Sequence, residues 1–99
     1  MSETPPLPPG SETYVTVRYW ASARAAAGVA SDRLPVTGDV TLADVIAGVV
    51  RRHADARFAD VIAVCSVLVG DQPVGSREPR EVVVPAGSTV EFLPPFAGG

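Results

Sequence analysis

The residues best suited to do chemistry stand at the end of the chain, Leu93-Pro94-Pro95-Phe96-Ala97-Gly98-Gly99. Two prolines hold the backbone extended and remove N–H donors that would otherwise seek a ladder. Two glycines strip side chains from the last positions, so a narrow slot in another protein can admit the backbone. The group left to react is the α-carboxylate of Gly99, expected to be the true terminus. A carboxylate is ionised at neutral pH and is a poor electrophile, so it must be activated before transfer. Six extended residues, 94–99, reach roughly 20 Å from a domain surface. They read as an arm that carries a reactive end into a partner. Leu93 and Phe96 are the candidate anchors, because buried apolar knobs carry interface energy.

The remaining chemistry-bearing residues point elsewhere. One cysteine and one histidine cannot assemble a zinc site, and the acidic residues show neither metal spacing nor a paired-carboxylate pattern. Cys65 opens an apolar run and reads as a small hydrophobe. His53, with Arg51 and Arg52, falls at a helix end, where positive charge is favoured; no companion for it is visible in the sequence.

The 99 residues suffice for one domain, and 46% of them are apolar. A net charge of −3 argues against nonspecific nucleic-acid binding, which needs a basic patch. All eight basic residues are arginine. Arginine-rich codon usage accounts for this, and so does avoidance of amines that would attack an activated terminus. A single cysteine allows no internal disulfide, and no apolar run reaches membrane-spanning length. With no secretory pattern at the start, the expected location is the cytoplasm. No membrane partner is expected.

The elements that must hold the arm can be read in order. Residues 1–12 carry four prolines, cannot pack a core, and are expected to be a disordered extension. Residues 13–93 form the expected domain. Residues 13–20 alternate β-branched and aromatic types and predict a strand. The alanine run from Ala21 to Ala27 predicts a short helix stopped by Gly28. Residues 29–36 return to a strand pattern, and Pro35 marks it as an edge. Thr41 is a helix N-cap, Asp44 favours the positive helix end, and Val40 with Val45 fits a hydrophobic staple. Leu42, Val45, Ile46, Val49, Val50 and His53 then recur at helical spacing. Phe58, Val61 and Ile62 could face the core from a second short helix. Strands are predicted over 65–69, 72–74, 81–84 and 89–93. The simplest solution is a mixed sheet of four or five strands with one long helix packed on it.

The Leu-Pro-Pro-x-Ala-Gly-Gly end resembles that of the MoaD/ThiS family of ubiquitin-like sulfur carriers. Tyr19-Trp20-Ala21, Arg24 and the Gly28 stop are similar to the family's opening strand and helix. Trp20 stands where Phe is usual, Phe96 where Val is commoner, and Gly70 and Gly87-Ser88 where Asn and Gly-Asp are usual. The resemblance spans about 85 residues from Thr13. It implies an α+β β-grasp fold whose first and last strands run parallel at the sheet centre. Such a pair should be apolar on both faces.

The same resemblance implies a function. An E1-like, MoeB-like enzyme would use ATP to adenylate Gly99. A sulfur donor would then displace AMP and leave a thiocarboxylate. The carrier would deliver that sulfur to a pterin precursor on a MoaE-like large subunit of molybdopterin synthase, forming the dithiolene of the molybdenum cofactor. On this reading the chain is no enzyme alone and binds no cofactor or metal. Pro94, Pro95, Phe96, Ala97 and Gly98 thread the partner's slot, and Arg24 joins Leu93 as a candidate contact. The alternatives are a carrier for another thio-metabolite, such as thiamin or cysteine, and a ubiquitin-like modifier joined to lysines.

Overall fold

A computed structural model describes residues 13–95. The expected extension, residues 1–12, and the last four residues, 96–99, lie outside the described residues.

Strand β1 (Thr13–Tyr19) leads into helix α1 (Ala21–Ala27), then strand β2 (Ser31–Val36). A two-residue strand β3 (Val40–Thr41) runs directly into helix α2 (Leu42–Arg52), followed by helix α3 (Ala56–Ala63). Strands β4 (Ser66–Val69), β5 (Gln72–Pro73), β6 (Val83–Val84) and β7 (Thr89–Leu93) complete the order. A 3-10 turn, Pro79–Glu81, precedes β6.

Five strands form one sheet in the order β2-β1-β7-β4-β5. The first and last strands are parallel neighbours at its centre, in the register Val17↔Val90 and Tyr19↔Phe92. The outer pairings are antiparallel. This is the expected mixed β-grasp sheet. One part was not anticipated: β3 and β6 pair with each other as a separate two-stranded ribbon. That ribbon ties the start of α2 to the segment before β7, and Leu42 N–H donates to Val82 O at 2.8 Å.

Alternation decides which face is filled. Val15, Val17 and Tyr19 of β1 and Val90 and Phe92 of β7 are buried. They pack against Leu42, Val45 and Val49 of α2 and Phe58 and Ile62 of α3. The expectation of a parallel pair apolar on both faces does not hold. The alternate residues Thr16, Arg18, Thr89 and Glu91 are polar, and Arg18 is exposed. Antiparallel neighbours on both sides let this sheet keep one wet face, as antiparallel sheets commonly do.

Local signals fix the helix ends. Thr41 Oγ1 accepts from Asp44 N–H and Asp44 Oδ2 accepts from Thr41 N–H, each at 3.1 Å, a reciprocal capping box. Helix α1 ends at Gly28, whose φ of +78° is left-handed and whose N–H bonds Arg24 O at 2.9 Å. The turn into α1 is tighter than its sequence suggests, because Ala21 has a φ of +49°. A residue with a Cβ pays roughly 1–2 kcal/mol for that conformation. Asp55 caps α3 by accepting from Arg57 N–H at 2.9 Å.

Candidate functional site

The chain leaves the sheet from a strand at its middle. Strand β7 is bonded on both sides, by β1 and by β4, and Leu93 pairs with Ser66. Beyond Leu93 the chain passes through half-buried Pro94 to exposed Pro95. The predicted arm residues Phe96, Ala97, Gly98 and Gly99 lie outside the described residues, so the geometry concerns the root of the arm.

Three residues outside the arm fix that root. Trp20 N–H donates to Phe92 O at 3.2 Å, which holds the end of β7 to the start of α1. The Trp20 indole N–H donates to Glu91 Oε1 at 2.9 Å. The Arg18 guanidinium lies 5.0 Å from the centroid of the Trp20 ring, a cation–π contact. Trp20 is 42% exposed, so a large aromatic stands open on the uncovered face beside Leu93. Leu93 is half-buried, and alternation with core-facing Phe92 turns it toward that same face.

Arg24 is exposed on α1, and its N–H donates to Trp20 O at 3.3 Å. It therefore sits one helical turn from the arm's root, so the structure brings Arg24, Leu93 and Pro94 to one end of the molecule. Arg18 and Glu91 were not anticipated there. They face each other only because of the Arg18↔Glu91 register, which a sequence of two distant strands does not reveal.

His53 has a companion, which corrects the sequence reading. Its Nε2 bonds Asp32 Oδ2, and Tyr19 Oη donates to the same oxygen at 2.7 Å. Arg52 adds a bond to Asp32 Oδ1 at 3.4 Å and another to Arg33 O at 3.1 Å. The His53 ring also packs on Phe58 at 4.7 Å between centroids. Burial disfavours the Asp32 charge, but the bonds from His53 and Tyr19 and the charges of His53 and Arg52 outweigh it. The carboxyl is held below its ordinary range. Burial, then the bond to Asp32, pushes the Tyr19 hydroxyl well above its ordinary value. This clamp joins β1 and β2 to the end of α2 and secures Tyr19, the residue before Trp20.

Cys65 is half-buried and packs against the core as expected. Its Sγ donates to Val61 O at 3.2 Å, and burial pushes the thiol up to about 11. The resting group is a protonated thiol, not a nucleophile. Among the described residues no cluster of His, Cys, Asp or Glu could hold a metal ion. No described helix is long and apolar enough to cross a membrane.

A sequence model of the ThiS family matches residues 17–99. The chain belongs to the ThiS family. Its members are ubiquitin-fold sulfur carriers, so this chain is a carrier-type protein, not a catalyst in its own right. No curated protein sequence matches it. Among solved structures it is similar to the Haloferax volcanii HVO 2177 protein, with 22% identity and a TM-score of 0.70. That match covers 90% of this chain and 89% of the other. It is also similar to a putative molybdopterin converting factor, subunit 1, from Pyrococcus furiosus. There the identity is 21% and the TM-score 0.67, over 83% of this chain and 97% of that one. Small archaeal modifier protein 1 from Methanosarcina acetivorans is 19% identical with a TM-score of 0.68, over 89% and 98% of the two chains. These likenesses establish the β-grasp fold of this ThiS-family chain, and they include both a cofactor-pathway subunit and a modifier.

Proposed function

We propose that this ThiS-family chain carries sulfur as a thiocarboxylate on Gly99 and serves as the small subunit of a molybdopterin synthase. The observation that supports the reading is the departure of the chain through Pro94 and Pro95 from a central strand bonded on both sides. A root fixed in this way lets the fold stay rigid while the arm enters another protein's slot.

The Gly99 carboxylate attacks the α-phosphorus of ATP on a MoeB-like enzyme, forming an acyl-adenylate and releasing pyrophosphate. A donor supplying sulfide-level sulfur then displaces AMP and leaves the thiocarboxylate. On a MoaE-like large subunit, the thiocarboxylate sulfur would attack a carbon of the pterin precursor and displace an oxygen leaving group. Water would then cleave the resulting thioester, leaving the sulfur on the pterin and the carboxylate on Gly99. The arm residues Pro94, Pro95, Phe96, Ala97 and Gly98 supply reach and slenderness. Leu93 and Arg24 supply contacts beside the root.

The likeness to small archaeal modifier protein 1 favours a second reading, conjugation of Gly99 to amines. Intact-mass analysis of the chain from cells separates the two. Exchange of one terminal oxygen for sulfur supports the carrier. Protein-sized adducts on lysine, without any thiocarboxylate, contradict it.

A further inference from the structure

We propose that the folded domain is chemically inert toward its own loaded end: Arg18 and Arg24, beside the root of the arm, supply positive charge there without an amine that could capture the Gly99 carbonyl. The inference takes from the carrier reading only that Gly99 becomes an activated acyl group. An acyl-adenylate is open to any nucleophile within reach. A free ε-amine would attack the Gly99 carbonyl carbon and form a C–N bond. The C–O bond to AMP would break, AMP would leave, and the amine would shed a proton. The resulting amide would end the chain's use as a carrier.

Covalent geometry decides what lies within reach. Position 18 faces Glu91 on the adjacent strand, about 4.8 Å away. Extended chain from Glu91 to Pro95 covers about 13 Å. From Pro95 to Gly99 the chain can span at most about 14 Å, and a lysine side chain would add about 6 Å. An amine at position 18 could therefore meet the activated carbon. So could one at position 24. Arg24 N–H donates to Trp20 O at 3.3 Å, and Trp20 N–H donates to Phe92 O at 3.2 Å, so two short steps separate it from the end of β7.

Both positions call for a cation, and either cation would serve. Arg18 is exposed, lies 5.0 Å from the Trp20 ring centroid and faces Glu91. Arg24 is exposed in the last turn of α1, where positive charge is favoured. Lysine also makes cation–π contacts and also suits a helix end. Arg52 needs its fork, because its Nη1 serves both Asp32 and the Arg33 carbonyl. The Arg24 side chain makes no hydrogen bond or ion pair among the described residues, so no such need applies there. What separates the two cations is reactivity. A guanidinium stays protonated, whereas about 0.4% of an ordinary lysine is free amine at pH 8. None of the eight basic residues is lysine. The fold also silences the other strong nucleophiles. Cys65 Sγ donates to Val61 O at 3.2 Å, and burial keeps the thiol protonated. His53 Nε2 is bonded to Asp32, and its ring packs on Phe58 at 4.7 Å between centroids.

The full chain bearing a Gly99 thioester, released from an intein fusion by a small thiol, tests this without ATP, activating enzyme or sulfur donor. Its outcome therefore stands apart from that of the carrier reading, which falls only if enzymatic loading of Gly99 fails. Intact mass should show the parent thioester passing only to the acid. Arg18→Lys and Arg24→Lys should each form a product one water lighter than the acid, with Gly99 joined to the new lysine on fragmentation. At about 10 µM chain, a tethered amine at about 1 mM should favour this cyclised product over linked pairs of chains by about a hundredfold. Arg80 lines a groove with Ala43 and Ile46 of α2, on the helix side of the sheet, and Arg80→Lys should cyclise at least about tenfold less. Arg24→Gln, which removes the charge and adds no amine, should match the parent. Absence of cyclised product in both root variants overturns the proposal, and leaves the arginines to codon usage. So does equal cyclisation of Arg80→Lys, or a parent that acylates its own Cys65 or His53.

Discussion

Removing the Asp32 carboxylate should cost more stability than any other single polar change in the described fold. Tyr19 is 2% exposed, and its hydroxyl donates to Asp32 at 2.7 Å. Leaving that buried donor without an acceptor costs roughly 1–3 kcal/mol. The bonds from His53 and Arg52 add less, because Arg52 is 42% exposed and solvent screens its charge; such pairs contribute up to about 1 kcal/mol. Asp32→Ala is therefore expected to lower the unfolding free energy by about 1–4 kcal/mol. Tyr19→Phe alone should cost about 1 kcal/mol. In the Asp32→Ala background its sign should change, because the hydroxyl is then a liability and its removal is neutral or stabilising. Urea titrations of the four proteins measure the cycle. If Tyr19→Phe costs as much with Asp32 absent as with it present, the two groups are not coupled and the clamp is wrong. The consequence for function is indirect: Tyr19 precedes Trp20, whose N–H holds Phe92 O at the root of the arm.

Acid should act through the same carboxylate. The folded-state pKa of Asp32 is depressed, so its contribution is complete above about pH 4 and is lost as pH falls below that through the folded value. The melting temperature should therefore drop more steeply below about pH 4 in the parent than in Asp32→Asn, and equal slopes would contradict this. Ala21→Gly should raise stability by about 1 kcal/mol, because glycine accepts the φ of +49° without strain; a loss of stability would refute that. The two faces of the sheet should respond differently. Phe92→Ala, at a fully buried site, should cost about 3–5 kcal/mol. Trp20→Ala, on the open face, should cost under about 1 kcal/mol despite the larger side chain removed. Comparable losses would mean that the face is covered.

Much of this architecture was written in local patterns. Thr41 before the helical stripe of α2, the alanine run closed by Gly28, and the alternation at each end of the domain each carry their own physical signal. The parallel central pair followed from family likeness, because nothing in either strand names its neighbour. What stayed hidden depends on register. Asp32 and His53 are 21 positions apart, and Trp20 and Glu91 are 71 apart. Neither pair has meaning until strands align. The ribbon of β3 and β6 was hidden for another reason: two-residue strands are too short to show alternation. His53 looked solitary because its partner sits in a strand read as an edge. The arm remains an expectation from composition, since prolines and glycines limit what a backbone can do, and its last four residues lie outside the described residues.

The central claim is that the carboxylate of Gly99 is the chemical cargo point. The direct measurement is the intact mass of the purified chain after incubation with ATP, a MoeB-like adenylating enzyme and a sulfur donor, beside Gly99→Ala treated identically. The parent should gain the mass difference of one oxygen exchanged for sulfur, localised to the last residue by fragmentation, while Gly99→Ala stays largely unconverted and still folded. Conversion of Gly99→Ala at the parent's rate, or sulfur found on Cys65 with Gly99 unmodified, would contradict the account.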